Sequence, residues 1–264
     1  MIIDFHTHIF PDAIADAAMK SLSMHGRLGY DGIPKLAELV ESMDGHGIDK
    51  SIVLNVATKA SQHENILRFS KRISSDRIIP FGSVVPSSPD ALSYVQKMAE
   101  AGIKGLKFHP PYEQIIADDK GLYPLYDLAR SLNLIIVFHA GWDPVFPEYT
   151  GAAPEKIADA AKNFPGLRIV AAHMGGLHFA REVYENIAGK SELYFDTSDS
   201  DGPWMDKNIF RDIIRRHGAE KILFASDYPW HIQSREINMV MDADLSTEEK
   251  ELILHGNAER LLGL

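Results

Sequence analysis

The sequence predicts a single-domain α/β protein of the (β/α)8 barrel class, and three observations carry that reading. Eight short runs rich in Ile, Val and Phe recur along the chain, and helical patterns lie between them. Most strand starts fall about 25 to 35 residues apart, which favours a closed barrel over an open doubly wound sheet. The length of 264 residues matches one such barrel, a class that runs to about 250 residues as one domain. One domain over residues 1–264 is therefore expected.

The eight runs cover residues 2–5, 51–56, 78–85, 105–108, 134–139, 168–173, 193–196 and 222–225. They are almost continuously apolar rather than alternating, as strands buried on both faces must be. Between them, Leu36, Leu39, Val40 and Met43 fall on one helical face behind Pro34, which suits a first helical position because its missing N–H has no partner there. Ser88 before Pro89 reads as an N-cap and Gly102 as a stop. Pro154 opens an alanine-rich helix that Pro165 and Gly166 close, and Ser246 with Glu249 forms a capping box.

Composition narrows the function. A net charge of -10 with a pI near 5.6 offers no field for nucleic acid or an anionic membrane surface. No apolar run approaches the roughly 18 residues of a membrane helix, and the start lacks a basic targeting segment, so a cytoplasmic protein is expected. The absence of cysteine excludes disulfides, thiolate catalysis and thiolate-ligated metals. A small-molecule substrate is the expected partner. Nothing marks the oligomeric state, and a homodimer is compatible.

The chemistry is suggested by the residues that end the strands, because side chains at those ends converge in this fold. The first strand ends Asp4-Phe5-His6-Thr7-His8, the fifth in His139, the sixth in His173 and the eighth in Asp227. Alternation along a strand places Asp4, His6 and His8 on one inward face. Imidazole nitrogens and a carboxylate meeting at one mouth make good ligands for zinc, iron or manganese. Asp4 reads as a supporting carboxylate, and His46, His63, His217 and His255 as hydrogen-bonded structural residues.

In His6-Thr7-His8, His139, His173 and Asp227, in that order, the chain resembles the amidohydrolase superfamily, in the branch called amidohydrolase family 2. The closing Gly256-Asn257-Ala258-Glu259-Arg260-Leu261 is similar to the C-terminal helix of that branch. The resemblance spans nearly the whole chain. It implies one divalent metal held by His6, His8, His139 and Asp227, with His173 near the metal-bound water. Zinc is the first expectation, with manganese or iron as alternatives.

Asp227 and His173 are the expected catalytic residues. The first function expected is hydrolysis of an amide, lactone or ester by metal-activated water, Asp227 moving the proton. The alternative is a metal-dependent non-oxidative decarboxylase of an aromatic or enoic acid, in which Lys107 serves as a second cation for the carboxylate. Lys107 and His109 share a face of the fourth strand and are expected at the substrate. A carbon-dioxide-modified Lys107 bridging two ions is the lesser alternative. Trp142, Tyr149, His178, Trp204, Tyr228, Trp230 and His231 lie in or beside the loops after strands five to eight. Of these, Trp142, Tyr228 and Trp230 are expected at the substrate, although aromatics packing the loops down read equally well.

Overall fold

The computed structural model describes all 264 residues. Eight parallel strands alternate with helices: β1 (Ile3–Thr7), β2 (Lys50–Leu54), β3 (Ile78–Phe81), β4 (Gly105–Phe108), β5 (Ile135–Phe138), β6 (Arg168–Ala171), β7 (Tyr194–Asp196) and β8 (Ile222–Leu223). The ladders run β1-β2-β3 and β4-β5-β6-β7-β8. Short bridges join the two sets into a barrel. Gly82 N donates to Gly105 O at 2.9 Å and Lys107 N to Gly82 O at 2.8 Å between β3 and β4. On the other side, Phe5 N donates to Phe224 O at 2.8 Å and Asp227 N to His6 O at 2.9 Å. No helix is long and apolar enough to cross a membrane.

Strand alternation divides the core into two layers. Phe5, Leu54, Phe81, Ile135, Val137 and Leu223 belong to the group that fills the barrel. Val53, Leu106, Ile136, Phe138 and Phe195 face the surrounding helices. Gly105 is required by close approach, since a Cβ there would lie 2.2 Å from Cε2 of Phe81. Ala258, Leu261 and Leu262 of the C-terminal helix (Asn257–Leu262) join the inner group. Lys104 and Arg168, beside the N-terminal ends of β4 and β6, bind the carbonyls of Leu262 and Leu261. That helix therefore closes the lower end, leaving the mouth at the C-terminal ends of the strands.

The strands and helices fall where expected, with shifted ends. Pro34 lies before its helix, which runs Leu36–His46 behind Lys35. Ser88 bonds the Asp90 carboxylate rather than capping, and the helix begins at Ala91. Pro154 occupies the first turn of Pro154–Asn163, Gly102 adopts φ +81°, and Ser246 and Glu249 form the capping box. A 15-residue helix (Asp12–Gly26) between β1 and Leu36–His46 is additional.

One departure concerns the site. Asp4, His6 and His8 do not share a face, because the register of β1 on β2 shifts between Asp4 and Thr7. Such an irregularity re-aims the side chains beyond it. Phe5 stays in the inner layer and His6 also turns to the mouth, while Asp4 bonds Gln233 of an outer helix (Gln233–Asp242) at 2.8 Å.

Candidate active site

The mouth is built from buried groups on different strands. His6 Nδ1 meets Asp196 Oδ2 at 2.9 Å, and His8 Nδ1 meets the Leu54 carbonyl at 2.8 Å. A carbonyl only accepts, so His8 carries its hydrogen on Nδ1. Burial would raise Asp196, yet His6, His173 and Ser198 hold it at about 2, and it is ionised. Burial, and then the Lys107 charge, push His6 down to about 4, leaving it neutral with its hydrogen on Nδ1. With both rings neutral, as an ion would require, both Nε2 atoms present lone pairs, and they face each other at 3.1 Å.

Asp227 completes the group. Its Oδ1 lies 3.5 Å from His6 Nε2 and 3.3 Å from His8 Nε2, buried and without a hydrogen-bond partner. Two lone pairs and a carboxylate oxygen repel one another unless a cation lies among them. Lys107 supplies part of that charge, with Nζ 3.1 Å from His6 Nε2. The donor set fits a divalent ion, and Asp196 and Leu54 O hold the two imidazoles in the tautomer that such an ion would need. Asp227 adopts φ +61°, a backbone state that persists only where surroundings enforce it.

His139 stands outside this trio. It groups with His109 and Asp143, its Nε2 at 3.1 Å from Trp142 O and its Nδ1 at 3.0 Å from His173 Nε2. His109 and His139 stack with centroids 4.1 Å apart and planes 9° apart. In-plane lone pairs of parallel rings do not converge, so this second group is no chelate. The structure thus brings together three of the four expected ligands. His173 lies between the two groups, 5.4 Å from His6 and 4.9 Å from His139 by ring centroid.

The other expected residues divide between the mouth and its supports. Lys107 is buried, and burial lowers it to about 8. His109 Nε2 faces Asp143 Oδ2 at 3.6 Å. Trp142 stacks on His178 at 4.6 Å, with Trp204 at 5.9 Å beyond. Tyr228 is buried and donates its hydroxyl to Ile33 O at 2.8 Å, and half-buried Trp230 donates its backbone N–H to Asp227 O at 2.9 Å. Tyr149 donates to Ile115 O, and His231 pairs with Asp199 at 2.8 Å. His46, His63, His217 and His255 all have local partners, in Ser42, Val85, Leu193 and Glu259.

Asp196, Ser198 and Asp143 are participants that sequence reading did not single out. Asp196 carried the same signal as the others, a carboxylate ending an apolar run. Ser198 and Asp143 carried none.

A parallel barrel with His-x-His at the end of β1 and an aspartate after β8 defines the amidohydrolase class of enzymes. The chain belongs to the amidohydrolase family: the family-2 model matches residues 3–264. No curated protein matches it in sequence. Among solved structures, it is similar to an uncharacterised TIM-barrel protein of Bordetella bronchiseptica, with a TM-score of 0.82 at 22% identity over 99% of this chain and 98% of that one. It is also similar to 2,6-dihydroxybenzoate decarboxylase complexed with 2,6-dihydroxybenzoate, at TM-score 0.76, 16% identity and coverage of 100% and 99%. A 5-carboxyvanillate decarboxylase of Novosphingobium aromaticivorans with bound manganese gives 0.77, 15%, and 100% and 97%.

Proposed function

We propose that this chain is a divalent-metal-dependent non-oxidative decarboxylase acting on a small aromatic carboxylic acid. The observation that carries the reading is Lys107. It is a buried ammonium whose one side-chain partner is His6 Nε2, and an ion taking that lone pair would release the N–H groups of Lys107 to grip a carboxylate beside the donor trio. The likeness to two aromatic-acid decarboxylases adds support.

His6, His8 and Asp227 would hold the ion, with manganese and zinc as the candidates. When bound, it would supply Lewis-acid polarisation of the substrate. Lys107 holds the carboxylate, and the stacked rings of Trp142 and His178, carried by the segment whose Trp142 carbonyl meets His139, would offer a flat face to the substrate ring. The proton comes from the His139–His173 pair. His139 Nε2 faces Trp142 O and bears its hydrogen there, while His173 Nδ1 lies 3.0 Å from the Ser198 hydroxyl and 3.3 Å from Ser198 O. Burial holds His139 well below an ordinary imidazole, so its ring is neutral, and the proton in the 3.0 Å contact is the one on His173 Nε2. As the carbon–carbon bond breaks, its electron pair stays on the ring carbon, that proton adds there, and carbon dioxide leaves.

Hydrolysis of an ester or lactone is the second reading, favoured by Asp227 Oδ1, which is free to accept a proton from water. Metal-stripped protein reloaded with Mn2+ or Zn2+ separates the two. On hydroxylated benzoates, carbon dioxide release is expected, together with one solvent deuterium in the product ring. Oxygen-18 from water appearing in products of lactones or esters, with no carbon dioxide from any acid, overturns the proposal in favour of hydrolysis.

A further inference from the structure

We infer that Gly32 and Tyr228 form a strut that sets the position of the Asp227 carboxylate, making both positioning residues for the metal centre. The inference rests on the reading of Asp227 as a metal ligand.

The segment of residues 27–35, after the helix Asp12–Gly26, reaches the loop that carries Asp227. Asp31 N and Gly32 N both donate to Pro229 O at 3.0 Å, and Asp31 pairs with Arg235 at 3.3 Å. The Tyr228 hydroxyl returns the connection at Ile33 O. Between these bonds the Tyr228 ring lies flush against the backbone of Gly32. A Cβ at that glycine would sit 2.3 Å from Cε2 and 2.7 Å from Cζ of the ring. Glycine is needed there for close approach.

Asp227 immediately precedes Tyr228 and holds a left-handed backbone conformation, at φ +61°, that its neighbours must support. Two neighbours act from inside the barrel: His6 O accepts Asp227 N, and His8 N donates to Tyr228 O at 2.6 Å. The strut is the constraint from outside. Tyr228 is therefore buried and spent on support, its hydroxyl turned to Ile33 rather than to a ligand. Displacing the ring turns the Asp227 peptide and moves Oδ1 away from the two Nε2 atoms.

The test is Mn2+ affinity, measured by calorimetric titration of metal-free protein, with the thermal midpoint of that protein as control. Gly32→Ala is expected to weaken Mn2+ binding about tenfold or more, the effect of losing a ligand's outer support. Tyr228→Phe, which keeps the ring and loses one bond, is expected to weaken it severalfold and covers the case in which Gly32→Ala does not fold. In a Tyr228→Leu background the Gly32→Ala change should cost less than about twofold, because coupled residues are non-additive. Equal costs in the two backgrounds, or wild-type affinity in both single variants, overturn the strut. Failure of the wild-type protein to bind Mn2+ overturns instead the metal-site reading on which it rests.

Discussion

Asp196→Asn tests the logic of the donor trio most directly. Asp196 Oδ1 accepts from His173 N at 3.0 Å and Ser198 N at 3.2 Å, and an asparagine oxygen can keep both bonds. Its amide nitrogen then replaces Oδ2 and meets the Nδ1 hydrogen of His6, donor against donor, where an accepted bond of 2.9 Å stood. His6 escapes by moving its hydrogen to Nε2, which removes one of the lone pairs available to an ion. Loss of such an outer partner weakens metal binding about 10- to 100-fold, or about 1.4 to 2.7 kcal/mol. The interactions that lower Asp196 from 3.8 to about 2 are worth about 2 kcal/mol to the fold, a loss most domains survive. Calorimetric Mn2+ titration of metal-free wild type and variant reads the effect. Wild-type affinity in a folded Asp196→Asn protein would show that the tautomer of His6 does not matter, and the reasoning would be refuted.

Lys107→Met keeps the buried stem and removes the ammonium. It should lower kcat/KM for an aromatic acid at least about 100-fold, the usual cost of losing a preorganised charge contact, while Mn2+ still binds. Steady-state carbon dioxide release checks it. Glu236 is buried, and burial raises it well above its ordinary range, where it accepts from Ser200 N and Asp201 N. The native carboxyl therefore keeps its proton to higher pH than the unfolded chain does, so stability is fully present below the ordinary carboxylate range and declines as pH rises above it. Glu236→Gln should flatten that decline in denaturant midpoints between mildly acidic and alkaline pH, and an unchanged slope excludes Glu236 as its source. Phe81→Ala, in the barrel interior against Phe5 at 5.8 Å, should cost about 3 to 5 kcal/mol by urea unfolding, with m unchanged.

How much of this was legible in sequence depends on which interactions are local. Strand positions were, because apolar runs buried on both sides look alike whatever packs on them. Helix starts governed by one residue's own backbone, such as Pro154 and Ser246, were legible as well. Pro34 was not, since the entry into Leu36–His46 is shaped by a tertiary bond from Phe10 N to Pro34 O. The site shows the same division. His6, His8 and Asp227 end strands and so betrayed their convergence, but alternation misplaced Asp4 because nothing in the chain announces an irregular register in β1.

His139 exposes the harder limit. Its place at the end of β5 was legible, and the direction of its ring was not, because that is decided by Trp142 O and His173 Nε2, groups 3 and 34 residues away in the chain. The same two contacts make the ring a sensitive probe. Asparagine at position 173 keeps a polar partner for His139 Nδ1 yet removes the proton on His173 Nε2. If the pair stores the proton for carbon, His173→Asn should abolish ring protonation and leave Mn2+ affinity near that of wild type. If His139 instead turns to join His6, His8 and Asp227 when metal is present, the His139→Ala variant should lose Mn2+ affinity by tenfold or more. Run side by side, the two titrations assign His139 to one role or the other.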